Sequence, residues 1–395
     1  MTRRALILVA ALALMPALRV LPPVHPAEAP AARLPKQLSG PEFWKLSTEL
    51  SEPDGYFRSD NLVSNELLMQ LVIPDLARTV RPGRAYLGVG PEQNFTYMAA
   101  IRPSMAFIVD IRRGNLHLHL MYKALFELSA DRAEFVSRLF SMTRPPGLGP
   151  KSTAQEIFAA YGDPDLRREE LFKQNVNAIR ELFVEKLRLG VSAEDLKGIE
   201  AVYYEFYARG TSIHYEVTPG SAGAFPTYAE MMMATDGGAV SRSYLATDES
   251  FATIKDLQHR NLVVPVVGNF AGPKAIRGIG SYLRSHDALV SAFYVSNVEQ
   301  YLSREGRREE FCESAASLPL DDSSAFIRSE RGGFVHRTPR VPGSPGGGFG
   351  GGFGGSFTSQ LYNMQDDLKG CGKQAGDRDR PVSAPATRGG ARRSS

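Results

Sequence analysis

Short apolar runs without polar alternation recur along the chain, and each is followed by a turn or a segment with helical spacing of apolar residues. Such runs are typical of strands that are covered on both faces. They occur at residues 84–94 (a short run that ends in a glycine turn), 105–110, 261–267 and 289–295. Helices are predicted at residues 95–101, 274–284 and 298–302. This alternation predicts a parallel sheet with ligand-binding groups at the carboxyl ends of its strands.

The stretch from about residue 116 to residue 260 has little strand character. Helical apolar spacing marks residues 116–128, 133–140, 153–161, 165–189 and 193–207. The whole pattern predicts an α/β fold, a doubly wound Rossmann-like sheet with a long helical insertion. Its first half, with a helical lead-in, would occupy residues 33–115, the insertion residues 116–260, and the second half residues 261–339.

The amino-terminal end differs from this body. Arg3 and Arg4 precede an apolar stretch at residues 5–18, and overlapping A-x-A patterns follow at residues 27–31. This order is typical of a secretory signal peptide, so residues 1–32 are predicted to be removed on export. Residues 2–6 also resemble a twin-arginine signal, which serves export of folded proteins.

The carboxyl-terminal end is rich in glycine. Residues 345–357 are almost entirely glycine with phenylalanine spacers, which is typical of a flexible linker. Residues 340–371 are therefore predicted to be a glycine-rich linker and a short segment after it. Residues 372–395 have no hydrophobic periodicity and are predicted to be a disordered basic tail. The folded mass is therefore expected between about Leu38 and Ser329.

Composition and charge narrow the classes of function. Of the 395 residues, 43% are hydrophobic and 23% are charged, which fits a globular protein. The formal charge of +3 comes from the ends and leaves a mildly acidic body, which argues against nucleic acid as the partner. No apolar run reaches the roughly 20 residues of a membrane span. Cys312 and Cys371 are compatible with a disulfide or with two separate thiols.

The first two strand regions carry the clearest motif. Gly88 and Gly90 lie in the turn after the first strand, and Asp110 ends the second strand 20 residues after Gly90. In dinucleotide-binding folds, the glycines let a ligand approach the first turn and the acid binds ribose hydroxyls. The third glycine of G-x-G-x-x-G is missing here.

This block, YLGVGPEQNFTYMAAIRPSMAFIVD from Tyr86 to Asp110, resembles motifs I and II of class I S-adenosylmethionine-dependent methyltransferases. Asn269, in VVGNFAG, falls where that family has its motif IV, after the fourth strand. The chain is also similar to a group of uncharacterised bacterial proteins of this fold, of leptospiral type, through GVGPEQNFTY, FIVDIRRGNLHLHLMYKALFELS and FYVSNVEQYL. That similarity covers roughly residues 38–329.

The resemblance implies S-adenosylmethionine as cofactor and two groups of site residues. The candidates for cofactor binding are Gly88, Gly90, Glu92, Asn94, Asp110 and Arg112. The candidates on the substrate side are Asn269, Ser296, Asn297 and His214. Each also has a structural interpretation: Glu92 and Asn94 as helix caps, Asp110 as the ion-pair partner of an arginine, and His214 as part of an aromatic core.

Other polar residues predict no further chemistry. His117 and His119 lie two apart in a helical pattern, so a shared metal is not expected. Asp321 and the residues after it resemble a capped turn. No G-x-S-x-G, H-E-x-x-H, P-loop or paired C-x-x-C pattern is present.

The favoured function is therefore a methyltransferase-like protein that binds S-adenosylmethionine and a small-molecule substrate. The signal peptide opposes it, because this cofactor is made in the cytoplasm. Two alternatives follow: an exported, non-catalytic ligand-binding protein that reuses the cleft, and an envelope interaction protein. An exported or envelope location is expected, or a cytoplasmic one if the amino terminus is retained.

Overall fold

The computed structural model describes residues 34–216, 225–331 and 357–371. The predicted signal peptide, most of the glycine-rich segment and the basic tail lie outside these residues. Within them, no helix is both long and apolar enough to cross a membrane.

A six-stranded, mostly parallel sheet forms the centre of the described chain. Its strands are β1 (Ala85–Gly88), β2 (Met105–Asp110), β3 (Val263–Val267), β4 (Val290–Ser296), β5 (Ala325–Arg331) and β6 (Phe357–Asn363). Their order across the sheet is β3-β2-β1-β4-β5-β6. Neighbouring strands are parallel except β5 and β6, which are antiparallel. The fold is thus α/β, as the alternation of apolar runs predicted.

Helices surround this sheet. They are α1 (Gly40–Leu50), α2 (Ile73–Thr79), α3 (Gln93–Ile101), α4 (Arg113–Leu128), α5 (Arg132–Leu139), α6 (Ala154–Ala160), α7 (Glu169–Glu181), α8 (Ala193–Arg209), α9 (Tyr228–Met233), α10 (Asp248–His259), α11 (Ala275–Ser285), α12 (Val298–Arg304), α13 (Arg308–Ala316) and α14 (Met364–Lys369). The predicted helix at 165–189 is shorter: a 3₁₀ turn precedes α7, and a π-helical turn at Leu182–Lys186 follows it.

The helical insertion packs on the sheet instead of forming a separate body. Phe95, from the helix after β1, makes edge-on ring contacts with Phe126 in α4 and with Tyr244 near α10. Phe126 also contacts Phe135 in α5, at a centroid distance of 4.5 Å. Buried side chains of the sheet and the insertion therefore belong to one hydrophobic core.

The position of β3 corrects the sequence interpretation. Residues 263–267 are the third strand along the chain and pair with β2 at the edge of the sheet, so they do not take the position of the fourth strand. The fourth position, beside β1, belongs to β4. The insertion therefore separates β2 from β3, which lie on the same side of β1 in the sheet. Pro265 is accommodated because β3 has a strand neighbour on one side only, and the Pro265 carbonyl accepts a hydrogen bond from Ser47 Oγ at 2.5 Å.

The folded region also extends further than expected. Residues 357–363, which begin at the end of the glycine-rich run, form β6 against β5. α14 follows, and Cys371 forms a disulfide with Cys312 in α13, with a Cα–Cα distance of 5.8 Å. The sequence analysis missed this strand because, along the chain, it is only a short segment of seven residues after a glycine-rich run. Its pairing with β5 and the nearby disulfide are tertiary contacts, which the local sequence pattern does not contain.

The disulfide is expected to contribute strongly to stability. It closes a loop with a sequence separation of 59, and the loss of chain entropy in the unfolded state is worth about 4 kcal/mol for such a loop. The double variant Cys312→Ala/Cys371→Ser should lose about 2–4 kcal/mol of unfolding free energy in urea titrations. Reduced wild-type protein should lose a similar amount, and reductant should leave the variant unchanged. An unaltered urea midpoint in the variant would contradict this assignment.

Candidate functional site

A cleft of about 400 Å³ lies at the carboxyl ends of β1 to β4. The sheet order reverses at this place, because β1 has β2 on one side and β4 on the other. Open α/β sheets bind ligands at such a switch point, and the volume is within the usual range for small-molecule sites. The wall residues from the strand ends are Gly90, Asp110, Gly268, Asn269, Ser296 and Asn297. Residues between Tyr56 and Glu66 also line the cleft.

Four of the predicted cofactor residues lie at the β1–α3 connection: Gly88 ends β1, Gly90 and Glu92 are in the turn, and Asn94 is in the first turn of α3. Gly90 lines the cleft with φ +73°, and no atom lies within 4 Å of the position that a Cβ would take. Gly88 is instead required for packing, because a Cβ there would lie 1.8 Å from Asn94 Oδ1. Asn94 Nδ2 donates to the carbonyls of Val89 at 2.9 Å and Pro91 at 2.7 Å. Asn94 therefore stabilises the turn through hydrogen bonds to its backbone.

Asp110 ends β2 at the cleft and is almost completely buried. Its Oδ1 accepts the Arg112 backbone N–H at 3.0 Å and lies 3.6 Å from Arg112 Nε. Burial raises the pKa of Asp110, although the Arg112 charge and the backbone N–H oppose that rise. Within the described residues, Oδ2 makes no hydrogen bond and so has acceptor capacity for a ligand. Arg112 is buried and is not part of the cleft wall.

Glu66, which the sequence did not single out, is a buried carboxylate in the cleft wall. Its Oε1 accepts hydrogen bonds from Tyr294 Oη at 2.7 Å and Ser296 Oγ at 2.8 Å. Its Oε2 accepts from Gln93 Nε2 at 2.8 Å and Ser359 Oγ at 3.2 Å. Donors from β4, α3 and β6 therefore meet at one carboxylate, just before the helical turn at Leu67–Val72.

The neighbouring tyrosines stay protonated. Burial, and after it the negative charge of Glu66, raises the pKa of Tyr294 well above its ordinary value. The same two causes raise the pKa of Tyr97, whose hydroxyl accepts from Gln93 Nε2 at 2.7 Å and lies 2.9 Å from Ser359 Oγ. These groups can donate or accept hydrogen bonds, but they do not act as anions near neutral pH.

Ser296 and Asn297 lie where β4 turns into α12, and both line the cleft. Ser296 has a φ of +49°, in the left-handed region that non-glycine residues rarely adopt. The pairing of β4 with β5 is irregular between Tyr294 and Ser296. Strained backbone and bulges are concentrated at functional sites, where they redirect side chains. Because β4 is the fourth strand of the sheet, this turn occupies the place that the sequence analysis gave to Asn269.

Asn269 also lines the cleft, after β3. Its Oδ1 accepts the Ala271 backbone N–H at 2.9 Å, as in an asparagine turn. The nearby amino-terminal end of α11 is already occupied by the Glu52 carboxylate, which accepts from Asn269 N at 3.0 Å and from Lys274 N and Ala275 N, each at 2.9 Å. These three backbone N–H groups are therefore already used and are not open to a ligand anion.

Two arginines lie at the exposed rim of the cleft. The guanidinium carbons of Arg58 and Arg304 each lie 5.8 Å from the centre of the Tyr301 ring. Phe57 contacts that ring edge-on at 5.2 Å. In the described parts of the chain, no carboxylate lies within ion-pair distance of either guanidinium, and the exposed Glu305 is the acidic residue that shares the rim. The rim thus differs in charge from the buried end at Glu66.

Two of the predicted site residues, Glu92 and His214, are not part of the cleft wall. Glu92 is fully buried, makes no side-chain cap at α3, and accepts the Ser64 backbone N–H at 3.1 Å. His214 pairs with Thr227 in an isolated bridge, and its Nδ1 lies 3.1 Å from the Ser212 carbonyl oxygen. Its neighbour Tyr215 lines the cleft in its place.

The remaining polar candidates are structural. His117 contacts Asp195 at 2.9 Å, and His119 contacts the Gly90 carbonyl at 2.8 Å, so the two do not share a ligand. Asp321 forms a two-point ion pair with Arg84, at 2.7 and 2.5 Å, within a capped turn. Over residues 34–216, 225–331 and 357–371, no group of three or more His, Cys, Asp or Glu side chains could hold a metal ion.

The structure gives the fold class, and comparison with known proteins gives the family. The described chain is an α/β protein with a cleft at the reversal point of a mostly parallel sheet. It belongs to the family described as "Domain of unknown function (DUF7790)", whose model matches residues 61–145 and 151–372. The matched ranges contain Glu66, the strand ends and both cysteines. No curated protein matches the chain.

The buried Glu92 predicts a measurable dependence of stability on pH. Burial raises the pKa of Glu92 from 4.5 to about 7, so the folded state binds this proton more tightly than the unfolded state. The unfolding free energy should therefore fall as pH rises from about 4.5 to 7, by at most about 3 kcal/mol.

The variant Glu92→Gln resembles the protonated form and should lack this decline. It should match the wild type near pH 4.5 and exceed its unfolding free energy at pH 8, measured by urea titration at each pH. Glu185→Gln, an exposed carboxylate on the π-helical turn, is the control and should follow the wild type. Parallel curves for Glu92→Gln and the wild type would show that Glu92 titrates normally.

Proposed function

We propose that the cleft binds S-adenosylmethionine and that the chain is a methyltransferase-like protein of the doubly wound, class I type. The observation that carries this proposal is the arrangement of Gly90 and Asp110 at the ends of adjacent strands, both open to one cleft. The order of the first five strands, 3-2-1-4-5, is that of classic doubly wound sheets and supports the same assignment.

The residues present fit this cofactor at two points. The open space over Gly90 allows a ligand to approach the backbone, and the unused Oδ2 of Asp110 can accept hydrogen bonds from ribose hydroxyls. Glu92, Asn94 and Arg112 would act only indirectly, by shaping the turn and holding Asp110. When bound, the cofactor would supply an electrophilic methyl group. The chain's own contribution would be alignment of the two ligands in a cleft that excludes water.

The substrate would bind on the β4 side, next to Ser296 and Asn297. These residues follow the strand that neighbours β1 on the side away from β2, so a second ligand there would face one held by Gly90 and Asp110. Asn269 lies beyond β2 and would border the cofactor side of the cleft instead.

A thermal-shift titration of the full chain with S-adenosylmethionine and S-adenosylhomocysteine tests the cofactor. Ligand at 100 times its dissociation constant should stabilise the folded state by about 2.7 kcal/mol. Asp110→Asn should weaken binding by roughly tenfold to a hundredfold, because hydrogen bonds to a charged group are worth about 1.5–3 kcal/mol. Asp322→Asn, an exposed aspartate away from the cleft, should bind like the wild type. No saturable shift with either ligand in folded protein would refute the proposal.

A second candidate is an exported, non-catalytic ligand-binding protein on the same fold. The Cys312–Cys371 disulfide favours it, because disulfides persist in oxidising compartments outside the cytoplasm. In this alternative the cleft would bind another small molecule, and the protein would be in the periplasm or cell envelope.

Mass analysis of the native protein, without reductant, separates the two locations. Export predicts a mature start near Ala32 together with a mass that lacks two hydrogens relative to the free thiols. An intact amino terminus with both thiols reduced would place the protein in the cytoplasm and favour the methyltransferase.

A further inference from the structure

The carboxylate of Glu66 has no acceptor position left for a ligand. A carboxylate offers about four lone-pair positions, and Tyr294, Ser296, Gln93 and Ser359 each donate to one of its two oxygens. The Gln93 amide can only donate from its nitrogen, and its Oε1 accepts from Ser64 Oγ. Glu66 can therefore act on a ligand only through the groups that it holds.

This arrangement fixes the direction of the hydroxyl hydrogens in the cleft wall. Tyr294 and Ser296 each have one hydroxyl hydrogen and use it on Glu66 Oε1. Their remaining lone pairs can only accept hydrogen bonds. Because both residues line the cleft beside Glu66, its inner end, which we define as Glu66, Tyr294 and Ser296, presents acceptors and no hydroxyl donor.

The charge at the inner end also favours a ligand that donates hydrogen bonds. Glu66 is the charged residue of the inner end, and it is buried and acidic; Asp110, the other buried charge of the cleft wall, is paired with Arg112. The basic side chains of the wall, Arg58 and Arg304, are at the exposed rim. Buried charges interact more strongly than exposed ones because water screens them less. A cationic hydrogen-bond donor is therefore favoured at the inner end, and an anion is disfavoured.

We infer that the inner end of the cleft binds an amine in its ammonium form, through the hydroxyl oxygens of Tyr294 and Ser296. The assignment of this amine as the second ligand beside the cofactor rests on the proposed function. The preference of the inner end for an amine does not. The left-handed backbone of Ser296 fits this role, because this strained conformation occurs at the residue whose hydroxyl donates to Glu66.

Three small probes with one ring and different charge test the inference: phenethylamine, 2-phenylethanol and phenylacetate. Their dissociation constants are measured on the full chain by calorimetry or ligand-observed NMR. Phenethylamine should bind at least about tenfold more tightly than phenylacetate, since one charged hydrogen bond supplies roughly that factor. Its dissociation constant should also stay within about twofold in saturating S-adenosylhomocysteine, because the two ligands occupy different ends of the cleft.

Two variants identify the groups responsible. Glu66→Gln removes the charge and gives an amide that must donate to a hydroxyl, so the preference for phenethylamine over phenylacetate should disappear. Ser296→Ala keeps Glu66 and removes one acceptor, so phenethylamine alone should bind several-fold more weakly; it serves as the test if Glu66→Gln fails to fold. Ser303→Ala, on the exposed side of α12, is the matched control and should have no effect.

The outcomes separate this inference from the proposed function. Equal or tighter binding of phenylacetate, no binding of phenethylamine, or an amine preference that survives both variants would overturn the inference. Competition between phenethylamine and S-adenosylhomocysteine would overturn the assignment to a second ligand. An amine preference without any response to S-adenosylmethionine would instead refute only the cofactor.

Discussion

The buried carboxylate of Glu66 is the constraint on which the cleft depends. A charge that is removed from water is tolerated only when hydrogen bonds replace its hydration. Here those bonds come from β4, from α3 and from β6, so the three elements must be in place together for Glu66 to be buried. The geometry of the cleft at this end of the sheet is therefore tied to long-range contacts, and a change in any one donor is transmitted to the others.

The sequence was sufficient for the local elements near the cleft. β2 was predicted with its observed bounds because all six of its residues are buried, which produces an unbroken apolar run. Gly90, Asp110, Ser296, Asn297 and Asn269 were also identified, since each directly follows or ends such a run. What local pattern does not contain is the order of strands across the sheet. The insertion delays β3 by about 150 residues, so Asn269 was assigned to the fourth strand when it follows the third.

The residues that the sequence missed depend on tertiary contacts. Glu66 is a single carboxylate before an apolar turn, and nothing in its neighbours along the chain shows that four donors converge on it. Conversely, Asn94 was predicted to bind the cofactor, but its amide donates to backbone carbonyls of the turn. Position in a motif predicts which turn lines the cleft, whereas packing decides which side chain of that turn faces the cleft.

The disulfide also determines what proteolytic cleavage between β5 and β6 would do to the protein. Ser359 reaches Glu66 from β6, and β6 is connected to β5 through 25 residues that include the glycine-rich run. Because Cys371 is bonded to Cys312 in α13, a protease that cleaved this connection would leave both fragments covalently joined. The two-chain product would keep its strand pairing and its buried carboxylate, and the fragments could separate only after reduction.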